Sequence, residues 1–459
     1  MSVARVSSSF RDPSGYLFVR NGVLYRQVNN PYSKAYDKLM NSGLYEELTS
    51  RGWLVPHVEA DVKGDDPAQA YRVLQPERLP FISYPYEWSF SQLQDAALLT
   101  LEINKLALEK GMILKDASAF NIQFKDGKPL LIDTLSFDVY RKGSAWDGYR
   151  QFCQHFLAPL ALASLVDVRF MQLSRNYIDG VPLDLASRLL PAATRFGLSG
   201  LNVHIHLHAK MQRQFADKQG VTNNAALLTK EALTNMLNGL TQTVQKLTWQ
   251  PKGTEWGEYY SATNYSDDSL KQKGELVGTF IDKCKPTTVW DLGANNGLFS
   301  REAARRGIFT VASDIDPAAV EKNYLTVRNQ GEKNLLPLVM DLTNPSPAIG
   351  WANCERESFS GRGPADMLLA LALIHHLAIS NNLPLDSIAE FFAATATWSV
   401  VEFVPKSDSQ VQRLLATRKD IFDRYTVEGF EEAFKRFFTV VEKKPVSGSE
   451  RTLYLLKKK

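Results

Sequence analysis

The sequence predicts an α/β protein whose C-terminal part is a doubly wound, mostly parallel sheet, preceded by a separate α+β region. Three observations carry that prediction. The run Val289-Trp290-Asp291-Leu292-Gly293-Ala294-Asn295-Asn296-Gly297 is β-branched and aromatic, ends its strand in a carboxylate, and turns on glycines into a helical stretch over 298–306. A second short strand, from Thr310, ends in Asp314-Ile315-Asp316, about twenty residues beyond the first glycine, where a nucleotide would present its ribose hydroxyls. The first half carries a different pattern, an amphipathic helix followed by a hairpin, so the chain of 459 residues divides into two or three domains.

Taken in order, the elements begin with a helix over 94–110, whose apolar residues recur at three- and four-residue spacing. Two β-rich runs follow, joined at Asp126-Gly127, a dipeptide that suits the left-handed conformations of a tight hairpin. The stretch Asn202 to His208 contains His204, His206 and His208. On a strand these three would share one face and suit a metal; on a helix they would spread apart as partly buried, hydrogen-bonded histidines. A helical pattern over 225–247 then stops at the turn residues Pro251 and Gly253. This places an accessory domain at 1–247, a linker at 248–269 and the doubly wound domain at 270–459. The linker is rich in aromatics between Trp256 and Tyr265, which either cover a ligand or pack at a domain junction. A helix over 270–282 leads into the first strand of the sheet.

Composition narrows the class. With 44% apolar and 22% charged residues the chain is an ordinary globular protein. No leader-like N-terminal segment and no apolar run of about eighteen residues is present, so a cytoplasmic location without a membrane span is expected. Cys153, Cys284 and Cys354 are far apart and form neither a metal pair nor a disulfide framework. The net charge of +3 does not announce nucleic-acid binding, and Lys457 to Lys459 read as a solvated terminus.

At Asp291, Gly293, Asn295 and Gly297 the chain resembles the class I S-adenosylmethionine-dependent methyltransferases, whose first motif carries an acid and three alternate glycines; Asn295 replaces the middle one. Asn enters left-handed backbone more readily than most residues. The resemblance covers 271–459 and implies a Rossmann-like, seven-stranded sheet. Within it, Leu338 to Leu342 looks like the third strand, with its acid at Asp341, and Ala365 to Leu377 like the fourth. It implies S-adenosylmethionine as cofactor. Gly293, Asn295 and Gly297 would then cradle the methionine part, Asp314 the ribose and Asp341 the adenine amino group, with Asp291, Ile315, Leu342, Ala370 and Tyr260 completing the set. An oxidoreductase shares the glycine turn and the acid, but the missing middle glycine and His375-His376-Leu377 favour the methyltransferase. After the fourth and fifth strands, His375, His376, Glu402, Lys406 and Asp408 are expected to face the same crevice. His375, His376 and Glu402 are the catalytic candidates, since a neutral imidazole can remove an acceptor proton; a histidine here would equally cap the following helix.

In the first half, Asp116, Asn121 and Asp133 resemble the catalytic loop and metal-binding acid of the protein-kinase and aminoglycoside-phosphotransferase-like fold. That resemblance implies a small lobe over about 1–90, a helical lobe over about 91–247, and ATP with magnesium as possible ligands. The pattern departs from the family at Lys115, before the first acid, and at Thr134-Leu135, after the last; no glycine-rich loop is recognisable near Asp12 to Gly15. The residue-level alternative is that Asp116 and Asn121 shape a turn and Asp133 ends a strand.

The methyl acceptor is read from what is missing. No Asp/Asn-Pro-Pro-aromatic motif follows Asp366, and the cysteine motif of carbon-5 base methylation is absent. This disfavours two nucleic-acid classes while leaving RNA open. The whole chain is similar to bacterial proteins related to the rhizobial nodulation methyltransferases, which points to a small-molecule, sugar or lipid-linked acceptor. The alternative function is a kinase-like phosphotransferase or ATP-binding module regulated by its second domain.

Overall fold

The computed structural model describes residues 3–196, 200–211, 229–252, 267–416 and 418–459. The chain divides into two compact units, one of residues 1–249 together with Ile349–Arg356, the other of 250–348 and 357–459. The short excursion at 349–356, which falls in the sequence-predicted last domain, therefore groups with the first unit.

In the first unit, strands β1 (Val3–Arg5), β2 (Gly15–Arg20), β3 (Val23–Asn29), β4 (His57–Glu59) and β5 (Ala70–Pro76) form an antiparallel sheet in the order β1-β2-β3-β5-β4. The helix Ser33–Asn41 follows β3, buries Leu39, and packs Ala35 and Tyr36 against Val28, Leu74 and Leu135. The helix predicted at 94–110 spans Phe90–Glu109; it starts earlier because Ser89 and Gln92 form a reciprocal capping box. Its Gln94 amide donates to the carbonyls of Val244 and Leu247, at the end of the helix Lys230–Lys246. Strands β6 (Met112–Leu114) and β9 (Phe137–Val139) pair with each other, as do β7 (Ile122–Lys125) and β8 (Lys128–Leu131). The β7–β8 turn has positive φ at both Asp126 (50°) and Gly127 (71°), the geometry such hairpins need.

The second unit is a seven-stranded sheet of β10 (Thr288–Leu292), β11 (Phe309–Asp314), β12 (Leu335–Val339), β13 (Ala365–Ala370), β14 (Ala396–Phe403), β15 (Phe438–Pro445) and β16 (Thr452–Lys458). Its order is β12-β11-β10-β13-β14-β16-β15, with the first five parallel and β16 antiparallel to both neighbours. Continuous apolar strands are what a parallel sheet covered on both faces requires. On one face, helix Asp267–Cys284 packs Val277, Phe280 and Ile281 against Val289, Met367, Val400 and Leu455. Helix Pro317–Gln330 starts where Asp316 caps the amides of Ala318 and Ala319, and ends at Gly331 in left-handed backbone.

Candidate functional site

Strand order reverses between β10 and β13, where neighbouring connections leave for opposite sides, so a crevice opens at the carboxyl ends of the strands. A cavity of about 340 Å³ lies there, within the range of small-molecule sites. It gathers Asp291, Gly293, Asn295, Asp314, Ile315, Asp341, Leu342 and His376. Gly293 and Asn295 both hold positive φ, 76° and 50°. A Cβ on Gly293 would sit 3.1 Å from Leu373, so the glycine keeps backbone low against the crevice floor.

The acids are held in distinct ways. Asp291 is 2% exposed and accepts from the Ser300 hydroxyl at 2.6 Å; burial pushes its carboxyl up to about 7. Asp314 accepts the backbone amides of Asn295 (2.8 Å) and Asp316 (2.9 Å), yet burial still raises it to about 6. Asp341 is turned by Thr343, whose amide and hydroxyl both donate to its Oδ1. Ile315 and Leu342 supply apolar lining, Ile315 remaining half exposed. Each carboxylate oxygen has two lone pairs, so the backbone bonds on Asp314 leave acceptor capacity for hydroxyls.

Several of the predicted residues that are described do not line the crevice. Gly297, at φ 78°, shapes the turn: a Cβ there would lie 2.5 Å from the Asn323 side chain. Ala370 is the buried last residue of β13, and Leu371 and Ala372 reach the cavity in its place. His375 is 1% exposed and stacks on His376 with ring centroids 4.1 Å apart. Tyr260 and the aromatic segment around it lie outside the described residues.

Glu402 is the clearest correction. It is fully buried at the end of β14, with one carboxylate oxygen accepting from both Lys273 Nζ (2.6 Å) and the Ala372 amide (2.6 Å). Arg451 sits 4.0 Å from its other oxygen and holds Asp408 at 2.7 Å and 3.1 Å. The expectation that Glu402 and Asp408 face the crevice fails because β16 runs antiparallel beside β14 and its entry brings a guanidinium into the interior. Lys406 points elsewhere, paired with Asp420 at 2.8 Å. Ala372 holds φ 50°, and its amide is fixed by Glu402, so this network sets the crevice wall rather than supplying a base.

Sequence reasoning missed Lys273. It lies on helix Asp267–Cys284, is 1% exposed, lines the crevice, and sets its ammonium 4.5 Å from the Phe299 ring centroid. The available signal was its place on the helix's apolar stripe, three residues after Leu270 and four before Val277. Burial lowers its ammonium from the ordinary value. The histidine premise also changes: burial takes His376 down to about 4 and His375 well below its ordinary value. Both are neutral at physiological pH, and His376 is a weak base.

The acids of the first unit are differently placed. Asp116 accepts the Ser118 amide, and burial raises its carboxyl. Asp133 forms an ion pair with Arg26 of β3 at 2.5 Å and accepts the Leu135 amide and the Ser136 hydroxyl. The Asn121 amide meets that same Ser136 hydroxyl at 3.4 Å, so Ser136 joins Asn121 to Asp133 where a shared magnesium would need both. Lys115 reaches Ser14 (2.8 Å) and Asp12 (3.4 Å) in the loop before β2. A guanidinium and a hydroxyl already on the acid do not suit a divalent cation, which wants open, anionic oxygens. Among the described residues no group of three or more His, Cys, Asp or Glu could hold a metal, and no helix is long and apolar enough to cross a membrane. His204 meets the Tyr149 hydroxyl at 2.8 Å, while His206 meets Ser187 and Thr194, each also at 2.8 Å. The ring of His208 stacks on Tyr149. Asn202–Leu207 is a π-helical turn, so His206 points away from His204 and His208, which share Tyr149.

No protein-family model matches the chain. It is 38% identical over 458 residues to nodulation protein NoeA of Rhizobium meliloti (strain 1021), a match spanning 98% of this chain and 95% of that protein. Among solved structures it is similar to magnesium protoporphyrin IX methyltransferase from Synechocystis PCC 6803, at 14% identity and TM-score 0.32, over 44% of this chain and 93% of that one. It is also similar to the N-methyltransferase NodS from Bradyrhizobium japonicum WM9, at 10% identity and TM-score 0.32, over 42% and 98%.

Proposed function

The chain belongs to the family of nodulation protein NoeA, and from that premise we propose that it is an S-adenosylmethionine-dependent methyltransferase acting on a small-molecule, sugar or lipid-linked acceptor. The observation that carries this is the convergence of Asp291, Asp314 and Asp341, from or just after three successive strands, on one crevice floored by Gly293. The residues fit the cofactor part by part. Asp291, on the crevice wall, is placed to meet the methionine ammonium, while Lys273 on the same wall is held by Glu402. Asp314, at the end of β11, accepts the ribose hydroxyls; Ile315 and Leu342 pack the base and Asp341 receives its amino group. The bound cofactor supplies a methyl group on a sulfonium, already activated for displacement. What remains for the chain is alignment and exclusion of water. The Glu402 network holds the Ala372 backbone in place, and neutral His376 accepts a hydrogen bond from the acceptor.

The first unit is, on this reading, a kinase-like fold that contributes acceptor recognition. Its acids are engaged in holding Arg26, Ser118 and Ser136, which supports loss of phosphotransfer.

Calorimetry of the full chain with S-adenosylmethionine tests the proposal. Wild type should bind, and Asp314→Ala should weaken binding by about 1–3 kcal/mol, the scale of a lost charge-assisted hydrogen bond. Absence of binding, or an Asp314→Ala protein that binds unchanged, sinks the assignment. His376→Gln should lower turnover on the true acceptor while leaving cofactor affinity intact.

A further inference from the structure

A second cavity, of about 360 Å³, lies wholly within the first unit, between the segment ahead of β2 and the excursion at 349–356. Its rim carries two large exposed aromatic side chains, Trp351 at 73% exposure and Phe10 at 52%, the latter with the Arg11 guanidinium 5.7 Å from its ring centroid, and Tyr16 also lines the cavity. Single exposed apolar residues need no explanation, but two aromatics facing one cavity do.

Both rings stand on backbone fixed from two sides. Arg11, next to Phe10, makes a two-pronged ion pair with Glu355, and Glu355 in turn accepts the Trp351 amide at 2.7 Å. Ser7 donates to the Cys354 carbonyl at 2.7 Å. The chain after Trp351 holds non-glycine residues in left-handed backbone, Ala352 at φ 51° and Asn353 at 56°. Such conformations cost energy and persist where the surroundings enforce them. The loop thus presents Trp351 outward at a cost, while the two ties remove the need to order it on binding.

The charges around the cavity decide what it would take. Arg5 is paired with Asp65 at 2.7 Å, Lys115 with Asp12, and Arg11 with Glu355. Each cation is neutralised by its own carboxylate, so a phosphate or other polyanion meets no uncompensated positive charge. Such pairs still offer acceptors and donors to a neutral ligand, and Ser7 and Asp12 add hydroxyl and carboxylate oxygens at the wall. A ligand with flat C–H faces for the rings and hydroxyls for the paired groups matches this lining.

We propose that this cavity is a binding site for a neutral oligosaccharide, its sugar rings stacked on Trp351 and Phe10. The inference stands on the first unit's own geometry and is independent of the methyltransferase reading. The test uses the full chain and a panel of neutral tetrasaccharides of glucose, galactose, mannose and N-acetylglucosamine, followed by calorimetry and saturation-transfer NMR. At least one should bind, and Trp351→Ala and Phe10→Ala should each weaken it by about tenfold or more, with Trp351→Phe recovering most of the loss. Melting temperature should stay unchanged in all three, because both side chains are exposed. No binding up to about 10 mM, binding indifferent to both alanine variants, or tighter binding of ATP competing at the same rings would overturn the proposal. So would a change of oligomeric state in Trp351→Ala, which would assign the rings to contact between copies of the chain.

Discussion

The two units place acidic side chains at comparable points, just where a strand ends, and Asp133 of the first is used differently from Asp291 and Asp314 of the second. In the first, Asp133 already has a guanidinium, an amide and a hydroxyl. In the second, Asp291 and Asp314 are buried with fewer compensating partners than their burial demands, and their carboxyls are pushed up to about 7 and about 6. An acid whose partners are all internal serves the fold; an acid desolvated beside an open crevice is poised for a ligand that brings the missing charge or donor.

The largest effect separating these cases should come from the network that builds the crevice wall. Lys273→Met leaves Glu402 buried beside Arg451 with a cation removed, and should cost about 3–5 kcal/mol of stability. Urea denaturation reads this directly, and adding Glu402→Gln should return part of the loss. A single variant within about 1 kcal/mol of wild type would show that the pair is not the wall's support.

Next comes the first unit, where Arg26→Met should destabilise by about 1–3 kcal/mol, less because the pair retains some solvent. Titration of wild type with ATP and magnesium should show no metal-dependent binding. Magnesium-dependent ATP binding that weakens in Asp133→Asn would erase the contrast between the units and make the first one a nucleotide site.

The smallest effect is in pH. Asp291 and Asp314 have raised folded-state values, so the folded protein holds protons that the unfolded chain releases above the ordinary carboxylate value of 3.8. Their contribution therefore favours the fold at low pH and is lost as pH climbs to about 7. If, as proposed, ionised Asp291 pairs with the cofactor's ammonium, affinity should rise by about tenfold between about pH 6 and 8. Differential scanning fluorimetry should accordingly show a larger ligand-induced shift at the higher pH. Asp291→Asn should flatten that dependence, and an unchanged profile in this variant would remove Asp291 from the ammonium site.

What was legible in the sequence was local. The turn at Gly293 and the hairpin at Asp126-Gly127 are each written within a few residues and appear as local structure. The two misread acids involve partners far along the chain. Glu402 looks like a crevice acid until Arg451 is seen beside it, and Asp133 looks like a metal ligand until Arg26 arrives from β3. Lys273 reads as one more helical lysine until the helix is packed and the residue proves buried. The excursion at 349–356 has no periodicity to announce it; its positive φ angles at Gly350, Ala352 and Asn353 belong to a loop held by contacts.

The position of Arg451 also orders events during synthesis. It precedes β16, the strand that inserts between β14 and β15, and it pairs with Asp408 at 2.7 Å while standing 4.0 Å from Glu402, which Lys273 also holds. A ribosome-bound chain that has made β10 to β14 has every acid of the crevice but lacks this counter-charge, leaving two carboxylates with less reason to leave water. The wall around Glu402 and Asp408 is therefore complete only with the β15–β16 hairpin in place, so the last strands of the chain, remote from the glycine turn, finish the crevice that the first strands begin.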